Sequence, residues 1–316
     1  EARRRRGRVH FVLRVGTPFA AGARWPEIGR ELCVTPRAPT PCARPTHVVM
    51  RALALLLLPI ATRSTSLLSL RGGKLTRDEV IQKLNKCPTF AIVNAQDHVF
   101  PLDNSEGGKD VCWFTDAEEA QKCLEEAIAN NPDEDGLQLA VTPLGAAFDQ
   151  CKGWDDGEGG EDHPSLLDCR LVLRGPRKVV EENEAALKGQ QQAQGIVPGD
   201  WVLPVYCHDD FQSDKMMPFF FSAEDFADGW ARSGRPAEET PTELAVMDLR
   251  VLVKQMEQTD IFPWKIFTFV SSQAAYKLAA ERMEARKGEE AQVDESLPPE
   301  PVPEDEDAVD DDEILD

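Results

Sequence analysis

The chain has 316 residues, 41% of them hydrophobic, and carries a formal net charge of -21 from 56 acidic and 35 basic side chains. That length holds up to two ordinary domains, and the charge argues against nucleic acid as a partner, because binding a polyanion relies on Lys and Arg to neutralise phosphates. The 8 cysteines stand singly, with no C-x-x-C and no zinc-finger spacing, so no dithiol centre and no metal site can be read from them.

Met50 is the first methionine, and residues 1–49 before it are rich in arginine; they read as an upstream segment outside the native protein. Residues 50–73 read as a leader. Arg51 and the apolar run 52–61 form the charged and hydrophobic regions of a signal peptide too short to span a bilayer. Arg63, Ser64, Thr65, Ser66, Ser69 and Arg71 then give a hydroxylated, basic stretch free of acid, the composition of a transit peptide. A plain secretory signal is the alternative. No later stretch is long and apolar enough to be a transmembrane helix, and peripheral association with a membrane is left open.

Residues 74–288 read as the folding unit, and they repeat a series of elements in two halves, about 75–190 and 200–288. Pro88-Thr89-Phe90-Ala91-Ile92 pairs with Pro204-Val205-Tyr206-Cys207-His208, each a proline leading into β-favouring residues. Phe114, Thr115, Glu118 and Ala120 pair with Phe221, Ser222, Asp225 and Ala227 as F-[ST]-x-x-[ED]-x-A, which predicts a strand running into a helix capped by Thr115 or Ser222. Leu139, Ala140, Val141 and Leu144 pair with Leu244, Ala245, Val246 and Leu249 at nearly the same distance from the cap. Leu171-Val172-Leu173 pairs with Phe267-Thr268-Phe269, each leading into a helical stretch. Matched elements in the same order predict an internally duplicated α/β (α+β) fold with two pseudo-symmetric halves. Residues 289–316 form an acidic tail that cannot bury apolar area, expected to be disordered. A second reading makes it a lure for basic segments.

No G-x-G-x-x-G, P-loop or nucleophile elbow is present, and Gly157, Gly159 and Gly160 lie in an acidic loop that would repel phosphate. His98 and His208 read as turn residues at strand ends rather than ligands. Hence no catalytic, cofactor-binding or metal-binding residues are assigned. Phe219-Phe220-Phe221, with Phe226 and Trp230 at helical spacing behind, read first as core and second as an exposed groove for polypeptide.

The run Val202-Leu203-Pro204-Val205-Tyr206, then Asp210, then Met217 through Asp225 resembles the chloroplast import family called Tic twenty-two, whose P-V-F strand precedes a short turn and a P-[LV]-F-F-S-x-E-D helix start. Pro88-Thr89-Phe90, Asn94 and Trp113-Phe114-Thr115 resemble it more distantly, departing at Cys112-Trp113-Phe114 and at the acidic loop near Asp155. The resemblance covers about residues 75 to 288. It implies a soluble, non-enzymatic protein of the plastid envelope intermembrane space that binds preproteins in a chaperone-like way beside translocon components. It carries over no catalytic residues. On this reading Phe90, Trp113 and Phe114 in one half, and Tyr206, Phe219, Phe220 and Phe221 in the other, line or support polypeptide-binding faces. Two other classes stay open: a thioredoxin-like redox protein, suggested by Pro204 with Cys207, and a secreted binding protein.

Overall fold

The computed structural model describes residues 72–154, 169–197, 199–213 and 215–296. The segment upstream of Met50, the leader up to Arg71, the acidic loop from Asp155 to Asp162 and residues 297–316 of the acidic tail lie outside the described residues, whereas residues 289–296, expected to be disordered, continue the last helix.

Helix α1 (Arg77–Leu84) opens on a capping box in which the Thr76 hydroxyl accepts from the Glu79 amide at 3.3 Å and the Glu79 carboxylate accepts from the Thr76 amide at 2.8 Å. The first sheet contains β1 (Pro88–Val93), β2 (Leu102–Asp103), β3 (Lys109–Phe114), β4 (Gln138–Pro143) and β5 (Cys169–Arg174). Helices α2 (Ala117–Asn130), α3 (Leu144–Gln150) and α4 (Arg177–Ala193) follow β3, β4 and β5. The second sheet contains β6 (Pro204–Cys207), β7 (Met217–Phe220), β8 (Ala245–Asp248) and β9 (Phe267–Val270). Helices α5 (Ala223–Arg232), α6 (Leu249–Gln258) and α7 (Gln273–Ser296) follow β7, β8 and β9.

The two sheets are wired alike. In the first, β4, β1, β3 and β5 lie side by side, with β2 added against β3; in the second the order is β8, β6, β7, β9. In both, the first two joins are antiparallel and the third is parallel. A parallel join demands a long crossover, which the intervening helix, strand and helix supply in each half. The registers correspond as well: Phe90 lies opposite Phe114 and Val141, and Tyr206 opposite Phe220 and Val246. Leu171 lies opposite Val111, and Phe267 opposite Met217.

These registers correct one sequence pairing. Phe114 takes the place of Phe220, so the caps shift by one residue: α2 is capped by Asp116, whose carboxylate accepts from the Glu119 amide at 2.8 Å, and not by Thr115 with Glu118. The Thr115 amide is already engaged, donating to the Arg174 carbonyl at 2.9 Å to extend the β3–β5 ladder. Helix α5 does start at Ser222, whose Oγ accepts from the Asp225 amide at 2.9 Å. The Asp225 carboxylate does not reach back to the backbone of the cap. It accepts from the Ser222 hydroxyl at 2.9 Å.

Each half lends its last helix to the other. Helix α4 packs on β6 and β8, and α7 packs on β1, β4 and α2. One core cluster therefore joins Phe90, Trp113 and Leu173 of the first sheet to Phe219, Phe267 and Phe269 of the second. Fully burying such a side chain stabilises by about 1.5–3 kcal/mol. Helix side chains also cover sheet edges, which otherwise present unpaired backbone groups. The Gln190 amide of α4 donates to the Val246 carbonyl at 3.1 Å and accepts from the Asp248 amide at 3.0 Å, standing in for a neighbouring strand along β8. At β9, the Lys83 ammonium of α1 donates to the Lys265 and Phe267 carbonyls at 2.9 and 2.8 Å, and its burial pulls the amine down to about 8. At the end of β8 stands buried Asp248, the cap of α6, accepting from the amides of Arg250, Val251 and Leu203 and from Gln191 Nε2.

Candidate functional site

All seven aromatic residues proposed from the sequence are core. Phe90, Trp113, Phe114, Phe219 and Phe220 are 0% exposed, Phe221 2% and Tyr206 7%. They also divide between environments. Phe219 packs against Phe267 and Phe269 with ring centroids 5.2 and 6.0 Å apart, while Phe220, one residue on, points to the opposite face and stacks on Phe211 at 5.6 Å. Tyr206 spends its hydroxyl on Asn183 of α4, accepting at 3.0 Å. These side chains can support a surface but do not line one. Among the described residues, the large hydrophobics that are exposed are Ile128, Val197 and Ile261, scattered over α2 and two connections, so they form no apolar groove.

The two halves do differ at one corresponding place, where the helix after β3 or β7 lies on its sheet. On α5, Phe226 and Trp230 close over Phe220 together with Phe211 and Val270, forming a satellite aromatic cluster. The Arg235 guanidinium covers it, 4.4 Å from the Trp230 ring centroid and 5.4 Å from that of Phe211. Counting from the two caps, α2 carries Ala120 in the place of Phe226 and Leu124 in the place of Trp230. By strand register Arg174 stands where Val270 does. Toward the C-terminal part of α2 the first half has a cleft of about 130 Å³, lined by residues that include Phe100, Asp103, Lys109, Glu126, Arg174 and Arg177, while Ala120 itself is 0% exposed in the main core.

A charge network anchors this cleft. Asp110 on β3 is buried, its side chain 4% exposed, and accepts from Arg170 Nε at 2.9 Å, Arg174 Nη2 at 3.4 Å and Asn104 Nδ2 at 2.7 Å. The bond to Asp110 raises the Arg170 guanidinium further above its ordinary range. Arg174 also lies over the Phe114 ring, 5.9 Å from its centroid. Arg177 pairs with Glu119 at 3.4 Å and Lys109 with Asp103 at 3.7 Å. Such an array can recognise a charged or amide-bearing group. The sequence held half of the signal, because pairing Leu171–Leu173 with Phe267–Phe269 sets Arg174 against Val270, whereas it had set Ala120 against Ala227 and the contrast with Phe226 came only with the strand register.

Elsewhere the side chains are set for structure. His208 caps the 3-10 turn Asp209–Phe211, its Nδ1 accepting from the Asp210 amide at 3.2 Å. Among the described residues, no group of three His, Cys, Asp or Glu side chains could hold a metal ion. Burial pushes the thiols of Cys87 and Cys112 up to about 12 and that of Cys207 up as well, which suppresses the thiolate a redox centre needs. No described peptide bond is cis, so Pro204 enters β6 in the trans form. No described helix is long and apolar enough to cross a membrane.

The architecture is thus a two-sheet α+β protein whose halves exchange their last helices. No family model matches the chain in sequence, and no curated protein matches it. Among solved structures it is similar to Tic22 from Plasmodium falciparum, at 15% identity and a TM-score of 0.43, over 65% of this chain and 98% of that one. It is also similar to Anabaena Tic22 (protein transport), at 15% identity and a TM-score of 0.42, over 72% of this chain and 100% of that one.

Proposed function

We propose that this chain is a non-enzymatic component of protein import across the plastid envelope, of the Tic twenty-two kind, binding preproteins in the intermembrane space in a chaperone-like way. The observation that supports this reading is the segment from Pro204 to Asp225. The residues that bear the sequence resemblance form one continuous unit: β6, the 3-10 turn Asp209–Phe211, β7 and the Ser222-capped start of α5. Its counterpart from Pro88 to Glu119 has the same strand pairing, in keeping with descent of both halves from one duplicated element. In this reading the seven buried aromatics brace the sheets, and contact with preprotein falls to the charged cleft and the polar helix faces. Weak contacts made at several places suit a protein that must release what it holds.

The reading is tested with a fluorescent fusion that begins at Met50, expressed in an alga with a secondary plastid beside the same fusion lacking residues 50–73. Signal at the plastid envelope that depends on those residues, followed by crosslinking of the full chain to arrested preproteins, is the expected result. Signal in the secretory lumen or the medium would overturn the envelope placement and leave a secreted binding protein.

A further inference from the structure

We propose that the outer edge of β4 binds an extended, unfolded polypeptide segment by strand addition, with a basic residue of that segment beside Asp133 and Asp135. The Leu144 amide donates to the Cys87 carbonyl at 2.9 Å, so by alternation the backbone groups of Gln138, Ala140 and Thr142 face β1, and those of Leu139 and Val141 face outward. Val141 corresponds to Val246 by register, since one lies opposite Phe90 and the other opposite Tyr206. In the second sheet Gln190 takes the Val246 carbonyl and the Asp248 amide, and at the other edge Lys83 takes the Phe267 carbonyl. Counting on from Arg174 and Val270, Arg286 of α7 stands where Gln190 does on α4, and it donates to Asp97 instead. Pro143, in the place of Asp248, has no amide to cover. Among the described residues, no hydrogen bond covers the outward groups of Leu139 and Val141.

The edge also lacks the usual guards. No lysine or arginine lies between Asn131 and Pro143, and β4 pairs with β1 without a bulge. Leu139 is buried and Val141 partly exposed, so an added strand meets the edge at Val141, where an apolar side chain would complete its burial. Groups that repeat every second residue are matched by an extended backbone, whereas a helix has already used its own. The turn into β4 exposes Asp133 and Asp135, which favours a basic residue at that end. A chain held unfolded for passage has free backbone groups along its length, so many sequences can make this pairing. It adds a backbone contact to those of the cleft and the helix faces. Naming such a chain as the occupant rests on the transport reading; the open edge does not.

Fluorescence anisotropy of a labelled peptide of alternating valine and threonine, with a lysine at each end, titrated with the full chain tests this. N-methylation of every second residue is expected to abolish binding in one frame and spare it in the other, since only one set of amides faces β4. Val141→Pro removes an outward donor and keeps the β1–β4 bonds, so the variant should fold. The unmodified peptide is expected to bind it about five-fold more weakly, the loss of roughly one hydrogen bond. Four results would overturn the proposal: no saturable binding, the same effect in both methylation frames, unchanged affinity in folded Val141→Pro, or a dimer of the parent chain that Val141→Pro dissolves, which would put a second copy on the edge. A fusion found outside the envelope sinks the transport reading and leaves these results standing. An envelope fusion with a frame-insensitive peptide sinks strand addition alone.

Discussion

The α2 and α5 faces occupy the same place in two sheets of the same order, yet one is charged and open and the other aromatic and filled. Strand order, pairing direction and register are alike in the two sheets. The shared frame therefore does not require any particular filling at this position. Phe226 and Trp230 bury large rings in the second half, whereas the first half has the smaller Ala120 and Leu124 at the matching helix positions and the Arg174–Asp110 pair nearby on its strands. One half can be read as stabilising the protein there, and the other as leaving room for a ligand.

Exchange of side chains across this pair should break the comparison most strongly. Phe226→Ala is expected to cost about 3–5 kcal/mol in urea unfolding, because it empties the centre of the satellite cluster. Ala120→Phe, the reciprocal change, should cost less, about 1–3 kcal/mol, the usual range for overpacking a buried site. Equal costs would mean that the two faces are not the alternatives described here.

Asp248→Ala is expected to follow at about 3 kcal/mol, since it strips a buried carboxylate from three amides and Gln191, with Asp248→Asn costing less than half as much. Asp225 gives the chain a pH signature. Burial raises its carboxyl to about 6, with Asp116 of the first half and Asp228 adding repulsion. The folded chain therefore holds this proton more tightly than the unfolded chain does. Its contribution is complete below the ordinary carboxylate range and is lost as pH rises through about 6. Asp225→Asn should raise stability at pH 7 by on the order of 2 kcal/mol and flatten the dependence between about pH 4 and 6. Thermal melts across that range decide it, and an unchanged slope would remove Asp225 as the source. The smallest effect is expected from Gln190→Ala, about 1 kcal/mol, for the two bonds that cover the β8 edge. A rise in self-association would mark the exposed strand.

Much of the frame was legible in the sequence because a proline before a strand, an L-A-V-x-x-L run and a capped helix start each have a local physical cause. The cap of α2 was misplaced because the F-[ST] pattern pulled Phe114 onto Phe221. A slip of one residue in a strand reverses the face of every side chain, and hydrogen-bond register, not composition, fixes it. Whether the seven aromatics line a face or only support one was not legible, because a sequence gives hydrophobicity without saying what covers it. Their cover is long-range: α4 over the second sheet, α7 over the first. Gln191, 0% exposed and bonded to Asp248, illustrates the same limit, since no local pattern marks a buried glutamine.

The central claim is that two halves alike in wiring share one core through exchanged helices, and differential scanning calorimetry tests it most directly. Phe148→Ala strikes the first half, where Phe148 packs on Trp201 at 5.9 Å, and Phe226→Ala strikes the second. The account predicts one transition for the parent chain, with calorimetric and van't Hoff enthalpies in agreement, and one transition lowered as a whole by either variant. Two transitions, with each variant moving one and sparing the other, would contradict it.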